Sequence, residues 1–230
     1  MSRNKHAGFT LIELLITMSI LSALMFTGTF SYQLLASKWQ KEVGTFNQTL
    51  EHAKGISLLS QILNGIYPYV VMDNKLQIKK PGFLFIGTNS RLLSVTQQGL
   101  FSEHYPEIFR LTLQPNKDKF NLVYQSVSTK SVTVLTADQK IEFKHSYLLL
   151  ENIDSFNLSY VGWTNVNTMS DEKENNQAPK LSSNFSGLDR QILPVNLTAT
   201  LSINSKVMSI EANTERSALQ HMTLYLGSPQ

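Results

Sequence analysis

Glu13 is the residue whose position calls for a chemical explanation. It is a carboxylate at the head of an apolar run, and the stretch from Leu14 to Ser37 that follows carries no charge at all. A charge at that depth in a bilayer costs about 2.5–3.5 kcal/mol on insertion scales. A carboxylate kept at such a cost normally marks a function. Other reactive groups are dispersed. The five histidines, His6, His52, His104, His145 and His221, share no ligand or base spacing. No His-Glu-x-x-His, P-loop, Gly-x-Ser-x-Gly or paired-carboxylate signature occurs. Asp171, Glu172 and Glu174 lack the alternating acids and turn glycine of an EF-hand loop. The chain has no cysteine, which excludes disulfides and thiolate metal sites. No catalytic residue, metal or cofactor is expected.

The elements that must place Glu13 are a basic start and a long apolar helix. Arg3 and Lys5 precede an apolar stretch from Phe9 to about Ala36. As a helix rising ~1.5 Å per residue, that stretch is about 40 Å long, enough to cross a core of ~30 Å with some tilt. It exceeds the roughly 7–15 residues of an ordinary signal-peptide core. The positive-inside rule puts Arg3 and Lys5 on the cytoplasmic side and the bulk of the chain across the membrane. A plain anchor with Glu13 snorkelling to the interface would leave Gly8 and the charge-free run unexplained. Thr17, Ser19, Ser22 and Ala23 are small enough for helices to approach closely, and could equally be filler.

Gly8-Phe9-Thr10-Leu11-Ile12-Glu13 resembles the cleavage and methylation motif of type IV prepilins and of type II secretion pseudopilins. The pattern is a short basic leader, a glycine, a phenylalanine, and a glutamate as the fifth mature residue. Gly8, Phe9 and Glu13 match it position by position. The resemblance implies cleavage by prepilin peptidase between Gly8 and Phe9, N-methylation of Phe9, and retention of the anchor. It also implies pairing of Glu13 with the Phe9 ammonium of a neighbouring subunit. The implied partners are the peptidase, other minor and major pilins or pseudopilins, an inner-membrane assembly platform, and lipid before assembly.

Beyond Ser37 the helical pattern continues in amphipathic form. Trp39, Val43, Phe46, Leu50 and Ala53 fall on one face. That stripe is expected to pack against a sheet, and Asn64-Gly65 with Pro68 should end the helix. From Tyr69 the pattern becomes strand-like. Leu197–Ile203 alternates most cleanly, and Val195–Ile203 with Lys206–Ala212 reads as a hairpin. Further strands are expected at Phe83–Ile86, Ile108–Leu113, Phe120–Tyr124, Val132–Leu135, Lys140–Phe143, Tyr147–Leu150 and Phe156–Tyr160. Arg91–Gln98 is ambiguous between helix and strand.

The expected fold class is α+β and pilin-like, one long N-terminal helix on a mainly antiparallel β-sheet domain. The segments are a leader at 1–8, a transmembrane half-helix at 9–36, an amphipathic periplasmic half at 37–64, and a β-rich domain at 65–230. Within the domain, 164–190 reads as a polar surface loop.

The order Leu149-Leu150-Glu151-Asn152-Ile153, Trp163, Leu193-Pro194-Val195 and a closing hairpin is similar to the minor pseudopilin J of type II secretion and to J-like minor pilins. The implied function is a non-enzymatic minor subunit at or near the fibre tip. The alternatives are a subunit of an adhesive or DNA-uptake pilus and, more remotely, a membrane-tethered periplasmic enzyme. The net charge of +3 is mild and scattered, which gives nucleic acid little electrostatic footing. The four Asn-x-Ser/Thr sites, at Asn47, Asn157, Asn184 and Asn196, read as chance matches behind such a leader.

Overall fold

The structure, a computed structural model, describes residues 10–73, 80–170, 178–214, 218 and 220–222. The chain divides into two compact units, residues 1–51 and 52–230. Helix α1, Leu11–Asn64, is the one helix long and apolar enough to cross a membrane among the described residues. In the first unit every described side chain is exposed except the half-buried Ala36.

That exposure corrects the expected role of the Trp39 stripe. Trp39, Val43, Phe46, Leu50 and Ala53 are all exposed. The buried residues of the helix come later, at Gly55, Leu59, Ile62 and Leu63, with Ile56 and Leu58 half-buried beside them. Both stripes have helical spacing. Periodicity identifies a face and leaves open which surface covers it.

Within the second unit the last turns of α1 meet strand β7 (His145–Ile153) closely. A Cβ on Gly55 would lie 2.0 Å from the Leu149 carbonyl oxygen, so only a glycine admits the strand there. One turn earlier, His52 Nε2 lies 2.9 Å from the Glu151 carbonyl oxygen. The helix ends where expected: Gly65 N donates to Gln61 O, and Thr96 Oγ1 donates to the Ile62 carbonyl left open by the last turn.

Twelve strands follow among the described residues. β1 (Val70–Asp73) and β2 (Lys80–Phe83) form a two-stranded ribbon. β3 (Ile86–Gly87), β4 (Arg91–Thr96), β5 (Glu107–Asn116), β6 (Lys119–Ser128), β7 and β10 (Phe185–Ser186) form a six-stranded antiparallel sheet in the order β10-β3-β4-β5-β6-β7. β8 (Ser155–Gly162), β9 (Lys180–Ser182), β11 (Asn196–Ile203) and β12 (Lys206–Asn213) form the second sheet, ordered β12-β11-β8-β9.

Alternation sets what each strand buries. Phe156, Leu158 and Tyr160 of β8 and Leu197, Ala199, Leu201 and Ile203 of β11 point inward. They share one core with Leu59, Ile62 and Leu63 of α1 and with Phe109, Leu111, Leu122 and Tyr124 of the six-stranded sheet. A smaller cluster of Val71, Leu84, Val95, Ile108, Val127, Val134 and Leu188 is separate from it.

Five sequence expectations change. Arg91–Gln98 resolves as a strand, and Phe83–Ile86 splits between β2 and β3. Val132–Leu135 and Lys140–Phe143 are not strands. Their region carries one isolated bridge, Met72 to Thr136, yet Val134 is buried and Val132, Ile141 and Phe143 pack beside it. Their alternation reflects side-chain burial without a backbone ladder. The segment 164–190 is also more than a loop. Its acidic centre, 171–177, lies outside the described residues, but the flanks hold α2 (Val166–Ser170), β9, β10 and α3 (Gly187–Arg190). Phe185 and Leu188 bury this polar stretch onto the domain, and the Arg190 guanidinium lies 4.3 Å from the centre of the Phe185 ring.

Glu107 is 1% exposed, and its Oε2 accepts the Tyr124 hydroxyl at 2.7 Å while Oε1 accepts Phe101 N at 2.7 Å. Burial, reinforced by that carboxylate, pushes the Tyr124 phenol well above its usual range. The pair ties the connection between β4 and β5 to the sheet.

Asp154 ties three turns together at the far end. The β11–β12 turn, Asn204-Ser205, has positive φ at both residues, the geometry that suits a tight hairpin. Ser205 N donates to Asp154 Oδ2 at 2.9 Å, and Lys119 Nζ lies 3.1 Å from Oδ1. The Ser205 amide first, then Lys119, hold this carboxyl below its usual range.

Two stability outcomes follow. Gly55→Ala should lower the melting temperature, because overpacking costs about 1–3 kcal/mol and outweighs the ~1 kcal/mol of helix propensity gained; thermal unfolding followed by circular dichroism checks it. A carboxyl with a depressed folded pKa stabilises above its unfolded pKa, and that contribution is lost as pH falls through the folded value. The melting-temperature deficit of Asp154→Asn should therefore be full at neutral pH and shrink as pH falls below about 3.9. A deficit that does not change with pH would remove the charge from the account.

Candidate functional site

Thr10 directly precedes the first residue of α1, and Glu13 is the third residue of the helix. The first turn of any helix has amide hydrogens with no partner inside the helix. Here two of them are met by side chains. Thr10 N and Thr10 Oγ1 each donate to Glu13 Oε2 at 3.0 Å, and Glu13 N donates back to Thr10 Oγ1 at 3.4 Å. Leu14 N donates to the Thr10 carbonyl at 3.3 Å, which begins the helical ladder.

This reciprocal arrangement, threonine at the cap and glutamate three residues on, is a capping box. A single cap residue contributes about 1 kcal/mol. A negative charge in the first turn adds ~0.3–1 kcal/mol against the helix dipole in water. Both Thr10 bonds use Oε2. Glu13 Oε1 takes no hydrogen bond among the described residues.

The apolar helix handles its other polar groups in the same local way. Thr17 donates to Leu14 O, Ser19 to Leu15 O, Ser22 to Met18 O, and Thr27 to Ala23 O and Leu24 O. Thr29 donates to Met25 O, and Ser37 to Leu34 O. Each hydroxyl is satisfied by its own helix, as hydroxyls in apolar surroundings require. They do not demand a partner chain, and the surface they leave is uncharged.

Sequence reasoning identified Glu13 and missed Thr10. The signal was present as Thr-x-x-Glu ahead of an apolar run. Of the other residues assigned to this site, Arg3, Lys5, Gly8 and Phe9 lie outside the described residues.

Among the described residues the histidines do not gather. His52 contacts the Glu151 carbonyl, His145 stacks on Phe101 with centroids 4.6 Å apart, and His221 meets the edge of Tyr67. Among the described residues no three His, Asp or Glu side chains are placed to hold a metal ion.

Residues 3–28 match the prokaryotic N-terminal methylation motif. No curated protein matches the chain. The matched span takes in the basic start, Gly8-Phe9, the capping box and most of the apolar segment. With that motif opening a long apolar helix suited to an inner-membrane anchor, ahead of an antiparallel β domain, the chain is similar at its N-terminus to type IV prepilin-like proteins, the kind processed by prepilin peptidase.

Proposed function

We propose that this protein is a non-enzymatic minor pilin or pseudopilin, cut between Gly8 and Phe9 and built into a type II secretion pseudopilus or a type IV pilus at or near its tip. The observation that carries the reading is the match over residues 3–28, in which the glycine, the phenylalanine and the acid keep the spacing that the chemistry needs. A cut there leaves the apolar segment on the mature chain and creates an amine four residues before Glu13. Arg3 and Lys5 hold the leader on the cytoplasmic side, where the peptidase acts, and the β domain lies in the periplasm.

Assembly then exchanges one solvent for another. In the membrane, lipid surrounds the exposed face of α1. In the fibre, neighbouring helices do. A methylated Phe9 amine still carries a positive charge and pairs with Glu13 of an adjacent subunit, which offsets the cost of moving either charge alone through an apolar setting. The size of the domain, with its two larger sheets, supports a low-copy subunit in preference to the main fibre component.

One observation favours a second reading, a minor subunit of an adhesive or DNA-uptake pilus. Phe101 and Tyr105 are each 44% exposed on the connection that Glu107 ties down. Phe101 stacks on His145, and Lys130 Nζ lies 5.2 Å from the centre of the Tyr105 ring. Exposed rings, one of them beside a lysine, suit stacking on a ligand. Co-purification separates the two readings: secretion partners support the first, and pilus subunits with retained adhesion or uptake support the second.

The maturation step has a direct readout. Intact-mass analysis of the membrane-extracted protein should give a chain that begins at Phe9 and carries one added methyl group. Gly8→Leu should leave the leader in place, seen as slower migration on an immunoblot. Normal processing of that variant would mean that the cut lies elsewhere.

A further inference from the structure

We propose that Thr10 is a positioning residue: it holds Glu13 in a capping box within its own chain, so that one carboxylate oxygen closes the helix while the other is left for an incoming amine. The second half of this statement rests on the reading of Glu13 as the partner of the Phe9 amine. The first half stands on the geometry alone.

A helix in water leaves its first amides to the solvent. A helix whose first turn lies at the edge of a bilayer has less water there, and each unmet N–H in hydrocarbon is costly. Cleavage before Phe9 also removes any upstream turn that could supply acceptors. The box answers this with residues that remain after the cut. Thr10 N and Oγ1 both bind Oε2, and Glu13 N binds Oγ1. All these atoms lie on the mature side of the Gly8–Phe9 bond.

The same contacts orient the acid. With two donors on Oε2, the Glu13 side chain is turned back towards Thr10, hence towards the chain start. Oε1, without an intrachain bond among the described residues, is the oxygen available to a cation. A carboxylate left unconstrained would lose rotamer freedom on docking. Thr10 removes that freedom beforehand, which is preorganisation. Glu13 thus has two separable functions, a cap that needs an acceptor and a pair that needs a charge.

Substitution separates them, because glutamine also completes capping boxes but carries no charge. The experiment uses the full-length chain expressed with its native assembly system. Three readouts are taken: leader removal by immunoblot, amide hydrogen exchange over residues 10–16 of the mature protein in bilayers, and incorporation by pull-down with partner subunits. Thr10→Val should be cleaved normally, exchange about fivefold faster in the first turn, and incorporate poorly. Thr10→Ser should restore both slow exchange and incorporation. Glu13→Gln should keep slow exchange and lose incorporation, while Glu13→Val loses both.

Wild-type exchange and wild-type incorporation in Thr10→Val would overturn the proposal, as would Glu13→Gln exchanging as fast as Glu13→Val. Normal incorporation of both Glu13 variants would sink the amine-pairing reading, and the exchange rates would still decide whether the box exists.

Discussion

Closing the first turn of a membrane helix without the help of water is the constraint on which the rest depends. Backbone amides at a helix start need acceptors, and lipid provides none. This chain meets that need with a threonine hydroxyl and a carboxylate set three residues apart. The same carboxylate is the lone charge of the apolar segment, so the group that caps the helix is also the group to which the proposal gives the pairing role. Below it the hydroxyls of Thr17, Ser19, Ser22, Thr27, Thr29 and Ser37 turn onto their own backbone, which leaves a smooth uncharged rod.

The domain solves an ordinary problem by burial and keeps its polar contacts at the ends. Two sheets and the last turns of α1 enclose one apolar core. The helix meets β7 so closely at Gly55 that no side chain fits, and Thr96 takes up a carbonyl at the helix end. Glu107 fastens the β4–β5 connection from inside with Tyr124, and Asp154 fastens the β11–β12 turn from outside with Lys119. The end of α1 is thereby part of the domain core.

Much of this was legible in the residues. The glycine, phenylalanine and glutamate spacing gave the N-terminal motif, Asn64-Gly65 marked the end of α1, and the alternation of Leu197–Ile203 gave β11 and its hairpin. The failures have physical causes. The Trp39 stripe and the Gly55–Leu59–Ile62 stripe share a period, and the second begins at a glycine where a Cβ would meet the Leu149 carbonyl of β7. Val132–Leu135 alternates because its side chains pack, although its backbone lacks a ladder. Phe185 and Leu188 were hidden in a polar stretch whose burial depends on two short strands from different sheets. Glu107 meets Tyr124 only because β5 and β6 pair, a contact that local sequence does not encode. At the site itself Glu13 was legible by its charge, and Thr10 was overlooked although its spacing to Glu13 fits a capping box.

The most direct test of the capping box is a distance measurement on the mature chain in lipid bilayers. With the Glu13 side-chain carboxyl labelled with carbon-13 and the Thr10 amide labelled with nitrogen-15, solid-state dipolar recoupling reports whether the two are in hydrogen-bonding contact. The structure places Glu13 Oε2 3.0 Å from Thr10 N, so strong dephasing from a neighbouring pair is the expected result. A signal that shows no coupling, with the carboxyl turned away from its own threonine, would contradict the account at its root.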